Sequence, residues 1–256
     1  MMTNITNLAE TLFHAHNIQK PLSKEDISKD ISIVDAYEVQ HQLTEMKTLR
    51  NQDKLAGYKI SLTSEETQRL FDSTTPLYGA LTQSSVSNGT IKLDDMLSPL
   101  IEVELMFIAN EELSTADSHE SILQKMSVAP GLEIPDSRFT DWFPKTSMGQ
   151  VIADSAVAGK ITVGESVNGL TYEQLGSINA KLTLNGEPLA EGPATEVLGN
   201  PVHAVAWLVK ELAKSGRTIE KGMIISAGTF ILPKKLEKGT YRVKFDKVGE
   251  VSLNVF

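Results

Sequence analysis

Cysteine is absent from the 256 residues of this chain. That absence excludes disulfides, zinc–thiolate sites, iron–sulfur clusters and thiol catalysis, and it agrees with a reducing compartment. Basic residues are outnumbered, with 24 Lys and Arg against 33 Asp and Glu, for a net charge of −9. No Lys/Arg cluster is interleaved with aromatics. This balance argues against nucleic acid or an anionic membrane as a partner. Long apolar runs are missing as well, none approaching the roughly 20 residues a membrane-spanning helix needs. The opening MMTNITNLAE lacks the basic-then-apolar order of a secretory signal, so a cytoplasmic location is expected. The 41% apolar and 22% charged content is ordinary for a globular protein long enough to bury a full core.

Two helices are expected at the start. The first carries Ile5, Leu8, Ala9, Leu12 and Phe13 on one face at helical spacing. The second begins near Ser32, with Asp35 three residues on, and carries Ile33, Ala36, Tyr37, Gln40, Leu43 and Met46 down one side. From about Leu55 the pattern changes to short apolar runs broken by Gly, Pro, Ser and Asn, which read as strands. Asn185-Gly186 between alternating runs marks a hairpin turn. One strong helix interrupts the strands, capped by Asn200, begun by Pro201 and ended by Gly216. No repeat, low-complexity tract or interdomain linker is evident. The expected fold class is α+β, a single domain over 1–256, with a helical N-terminal part over 1–52 and a β-rich body over 53–256.

The segment PLIEVELMFIAN is the most informative. As a strand it places Leu100, Glu102, Glu104 and Met106 on one face and Ile101, Val103, Leu105 and Phe107 on the other. Two glutamates two residues apart then project the same way, their Cβ atoms roughly 7 Å apart. Like charges this close among apolar neighbours disfavour each other unless a cation sits between them, and magnesium or manganese takes oxygen ligands. The plainer reading is a solvated face carrying two surface glutamates, which Leu100 and Met106 weaken. Glu133 in APGLEIPDSR is a third carboxylate, and as a ligand beside the pair it makes a hard-metal site with room for a chelating substrate.

The blocks GYKISLTS, PLIEVELMF, LEIPDSRFTDW, GQVIADSAVAG, VLGNPVHAVAWL and GMIISAG, in this order, resemble the 2-keto-4-pentenoate hydratase and 4-oxalocrotonate decarboxylase family. That family belongs to the fumarylacetoacetate hydrolase-like superfamily. The resemblance runs from about Leu55 to the C-terminus, and the two N-terminal helices fit it. It implies a mixed β-sandwich or barrel-like body, one Mg2+ or Mn2+ per subunit, homo-oligomerisation, and a small 2-oxo acid as substrate. It also maps the metal ligands onto Glu102, Glu104 and Glu133. Lys59 matches the lysine of the family's G-x-K-I-G-L-T-S block and is the expected proton donor or anion stabiliser, with a structural pair to a glutamate as the rival role. Asp154 matches the aspartate of its A-D-N-A-S block, as a candidate to orient water or substrate, with a turn cap as the rival role. Arg138 could clamp a carboxylate with its guanidinium fork, but such an arginine is more often a structural ion-pair partner, so it is not counted as catalytic.

Four positions depart from the family pattern. Ser61 stands for a glycine, Leu77 for the aspartate of the hydratases, Ser155 for an asparagine and Val157 for a serine. Losing an aspartate and a hydroxyl removes groups that could activate water, and Leu77 is nearer the decarboxylase branch. The leading expectation is a hydratase of a 2-hydroxy-2,4-dienoate in aromatic or 2-oxo acid catabolism, with 2-oxo-3-hexenedioate decarboxylase as the alternative. Carbon–carbon hydrolysis of an acylpyruvate ranks lower. A different class is a non-catalytic subunit that binds a 2-oxo acid or partners a related hydratase or decarboxylase. His14, His16, His41, His119 and His203 assemble no recognisable site, and no phosphate loop, dinucleotide fingerprint or activated-serine motif is present.

Overall fold

Ser32 accepts a hydrogen bond from the Asp35 amide and so caps helix α2 (Ile33–Arg50). This helix packs on α1 (Ile5–Ile18). Ala9, Leu12, Phe13, Ala36, Val39 and Leu43 join Phe139, Trp142 and Val151 in one apolar cluster between the helices and the body. The buried face of α2 differs from the expected one: Ile33 is 40% exposed, while Val39 and Lys47 are buried. The computed structural model describes residues 5–143 and 145–256.

The body begins with β1 (Leu55–Ser61), α3 (Glu65–Leu70), β2 (Leu77–Thr82), β3 (Val86–Ser87), β4 (Thr90–Ile91) and β5 (Leu100–Ala109). It continues through α4 (His119–Lys125), β6 (Met126–Ile134), α5 (Met148–Ala153), β7 (Lys160–Val163) and α6 (Tyr172–Gly176). The hairpin β8 (Asn179–Leu184) and β9 (Glu187–Pro193) precedes α7 (Pro201–Ala213) and β10 (Ile224–Thr229). Short β11 (Lys234–Lys235) leads to the final hairpin of β12 (Gly239–Phe245) and β13 (Gly249–Val255). One mixed sheet runs in the order β2-β1-β10-β5-β6-β7-β3, with β11 on β5, and a second runs β4-β13-β12-β8-β9. Strands β12 and β13 pack against β6 of the first sheet, and Ile101, Val103, Leu105 and Phe107 fill the core cluster they share with Val243 and Leu253. The fold is thus the mixed α+β body with helices at its N-terminus that the sequence indicates. Among the described residues no helix is long and apolar enough to cross a membrane.

Two turn and cap signals act as read. Asn185 and Gly186 both take positive φ, at 53° and 89°, as the two-residue hairpin turn requires. Asn200 accepts from the Val202 amide with Pro201 in the first turn of α7. The single interrupting helix was an undercount, because α3, α4, α5 and α6 also fold. Each is too short to show a 3.6-residue period. Their signal lies in the caps instead: Ser64, Ser118, Ser147 and Thr171 each accept from the amide three residues on.

Candidate metal centre and active site

Strand alternation puts Glu102 and Glu104 on one face of β5, and the antiparallel register sets Glu133 of β6 directly opposite Glu102. One oxygen from each of the three carboxylates lies within 4.8 Å of the others. Glu104 and Glu133 are fully buried, while Glu102 retains some exposure. Glu104 Oε2 accepts from Ser226 Oγ at 2.5 Å and from the Gly228 amide at 2.9 Å. Gly228 takes φ +114°, and a Cβ there would meet the Thr63 side chain at 2.4 Å, so this donor needs glycine.

The remaining oxygens are not satisfied by protein hydrogen bonds. Glu104 Oε1 and both oxygens of Glu133 are buried without a hydrogen-bond partner. Lys59 Nζ lies 2.8 Å from Glu133 Oε1, an ion-pair contact. It also donates to Ser61 Oγ at 2.5 Å. Burial opposes the Lys59 charge, but Glu133, Glu102 and Glu104 outweigh burial and hold the ammonium above the usual lysine range. Burial, and then Glu133, push the Glu102 carboxyl up to about 7. Glu104 is raised well above the carboxylate range for the same reasons. One buried ammonium against three carboxylates leaves the group short of positive charge. Convergent hard oxygens with orphaned lone pairs fit a magnesium- or manganese-type ion.

Glu102, Glu104 and Lys59 open onto a pocket whose other walls include Leu77, Val151 and Val157 and the rings of Phe71, Trp142 and Phe143. Asp154 does not line it. Its carboxylate is wholly buried, and Arg138 engages it through Nε at 2.5 Å and its own amide at 2.9 Å. The Arg138 guanidinium also donates to the carbonyls of Asp154 and Ala158. Between those two carbonyls Ser155, Ala156 and Val157 all take left-handed φ, at 53°, 51° and 53°. Such a conformation costs a non-glycine residue roughly 1–2 kcal/mol. The Arg138–Asp154 pair therefore straddles a strained turn that delivers Val157 to the pocket. Gly79 permits the close approach, since a Cβ there would sit 1.9 Å from the Ser155 carbonyl oxygen.

The chain is 30% identical over 225 residues to 2-keto-4-pentenoate hydratase of Paraburkholderia xenovorans, covering 86% of this chain and 82% of that protein. It is 31% identical over 232 residues to 2-oxo-hept-4-ene-1,7-dioate hydratase of Escherichia coli, covering 87% and 86%. The chain belongs to the 2-keto-4-pentenoate hydratase and 4-oxalocrotonate decarboxylase family. Among solved structures it is similar to 4-oxalocrotonate decarboxylase from Pseudomonas putida G7 complexed with magnesium and adipate. That match has a TM-score of 0.90 and 25% identity, and covers 100% of this chain and 98% of that one. No family model matches the chain.

Against the hydratase–decarboxylase pattern, three of the four departures surround the carboxylates: Ser61, Leu77 and Val157 line the pocket, and Ser155 is buried beside it. Ser226 and Gly228, which bind Glu104, lie in the GMIISAG block that carries the resemblance, but no spacing in the sequence ties them to that glutamate.

Proposed function

We propose that this protein is a divalent-metal-dependent lyase, a hydratase of a 2-hydroxy-2,4-dienoate in aromatic or 2-oxo acid catabolism. Glu102, Glu104 and Glu133 are its metal ligands. The observation that carries the reading is three carboxylates converging within 4.8 Å, with Glu104 Oε1 and both Glu133 oxygens buried and without a hydrogen bond. Relatives named as hydratases of such acids support the reaction class, and structural neighbours complexed with magnesium or manganese support the ion. A Mg2+ or Mn2+ ion held there supplies Lewis acidity toward the 2-oxo group of a substrate. The chain's own residues do the rest. Lys59, held charged by the three glutamates, keeps a proton at Nζ at the pocket wall. Ser61 accepts from that ammonium and orients it. The apolar walls at Leu77, Val151 and Val157 limit water to the polar end. Asp154 supports the site through Arg138 and the turn rather than by touching substrate.

A second reading, decarboxylation of 2-oxo-3-hexenedioate, is favoured by one observation: beyond the metal ligands, no carboxylate among the described residues lines the pocket to activate water. Assay of the purified protein with magnesium on both substrates separates the two. Hydration of the dienoate without carbon dioxide release supports the first, and carbon dioxide release without net hydration replaces it with the second. Binding of metal and oxalate with turnover of neither leaves a non-catalytic subunit.

The same reading takes residues 1–256 as one domain in the cytoplasm, consistent with the lack of cysteine. It includes a homo-oligomer, which the family resemblance implies. Sedimentation velocity tests that part, and a monomer at micromolar concentration refutes it.

A further inference from the structure

A second cavity, of about 160 Å3, lies where the N-terminal helices meet the first sheet, and it shares no lining residue with the carboxylate pocket. His16 reaches it from α1, Lys47 from α2, Lys160 from β7, and Arg138 from the segment after β6. Lys47 is 7% exposed, and among the described residues no hydrogen bond or ion pair ends on its ammonium. The side chain is buried but its ammonium faces the cavity, and a cation so enclosed is costly without a counter-charge.

The other charged groups around the cavity have partners or reach solvent. Arg138 is occupied by Asp154 and two carbonyls. Lys160 donates to the Ser84 carbonyl at 2.8 Å but remains half-buried at the wall. Of the two lining carboxylates, Asp136 accepts from the amides of Leu97 and Ser98, between 2.6 and 3.0 Å. Asp95 is 58% exposed beside Lys92. The local field is positive in a protein of net charge −9. Lys47, then burial, then Arg138 and Lys160 drive the His16 imidazole down to about 2, and no anion opposes them.

We propose that this cavity is a binding site for a small oxyanion, a phosphate or a carboxylate, with Lys47 as its buried counter-charge and Lys160 and the His16 imidazole as flanking donors. Charge-assisted hydrogen bonds from ammonium groups suit such a ligand. The site stands independently of the metal centre.

The test is calorimetric titration of the protein, charged with magnesium and one equivalent of oxalate, with sodium phosphate and separately with succinate, at an ionic strength fixed with chloride. Saturable binding of at least one oxyanion is expected, and which one binds identifies the source. Lys47→Met is expected to weaken that binding at least about tenfold while leaving oxalate affinity unchanged. If Lys47→Met does not fold, Lys160→Met serves, with at least about a threefold loss expected. Absence of binding above the chloride control, unchanged affinity in the variant that folds, or a crystal with a second copy's acidic side chain filling the cavity overturns the proposal.

Discussion

Glu104→Gln keeps the side chain's shape and removes one negative charge from the buried trio. Carboxylate oxygens lie within 4.8 Å of one another there. At that distance and an effective dielectric of about 20, two full charges repel by about 3.5 kcal/mol. Glu104 faces two such neighbours, while Lys59 and proton uptake by the raised carboxyls discount the sum. The metal-free variant is therefore expected to be more stable than the parent, by about 1–3 kcal/mol above pH 8, or roughly 2–10 °C for a chain of this size. With magnesium the order reverses. The parent gains about 2.7 kcal/mol at a hundredfold excess over Kd, and the variant, short of a ligand charge, gains little. Thermal unfolding with chelator and with magnesium measures both halves. A variant destabilised without metal, or one that magnesium stabilises as fully as the parent, refutes the reasoning.

Other perturbations follow from the same geometry. Lys59→Met removes the ammonium beside Glu133; it is expected to destabilise the metal-free protein by about 3–5 kcal/mol and to cut turnover at least about a hundredfold, with magnesium binding retained by calorimetry. The raised Glu102 carboxyl makes the metal-free native state hold a proton that the unfolded chain releases above its ordinary value of 4.5, so stability is full below that pH and is lost as pH rises through about 7. The loss is on the order of 3 kcal/mol, and denaturant unfolding in chelator at pH 5 and pH 8 should show a fall that Glu102→Gln reduces but, with Glu104 also raised, does not abolish. Ser155→Gly relieves a left-handed φ of 53° and is expected to stabilise by about 1 kcal/mol in the same unfolding assay.

Legibility in the sequence followed the range of the interactions. Alternation within PLIEVELMFIAN was enough to align Glu102 with Glu104, because a strand's period is local. That Glu133 opposes Glu102 is a matter of the β5–β6 register, which no local pattern reveals; as a carboxylate on another apolar run Glu133 is a candidate only, and the family resemblance maps a ligand onto it. Asp154 in VIADSAVAG could serve substrate or cap a turn. Only the structure shows Arg138 closing around it. The left-handed turn after it was invisible, since Ser-Ala-Val carries neither glycine nor asparagine. Lys47 looks like an ordinary helix-surface lysine, and its burial depends on how α2 rotates against the sheet.

The account depends on three glutamates acting together on one hard cation. Crystals grown with manganese and oxalate, measured at a wavelength where manganese scatters anomalously, test this most directly. The account predicts a single strong peak bounded by Glu102, Glu104 and Glu133, with the oxalate oxygens completing its coordination toward Lys59. A peak elsewhere, or three carboxyls closed on one another with no ion between them, contradicts it.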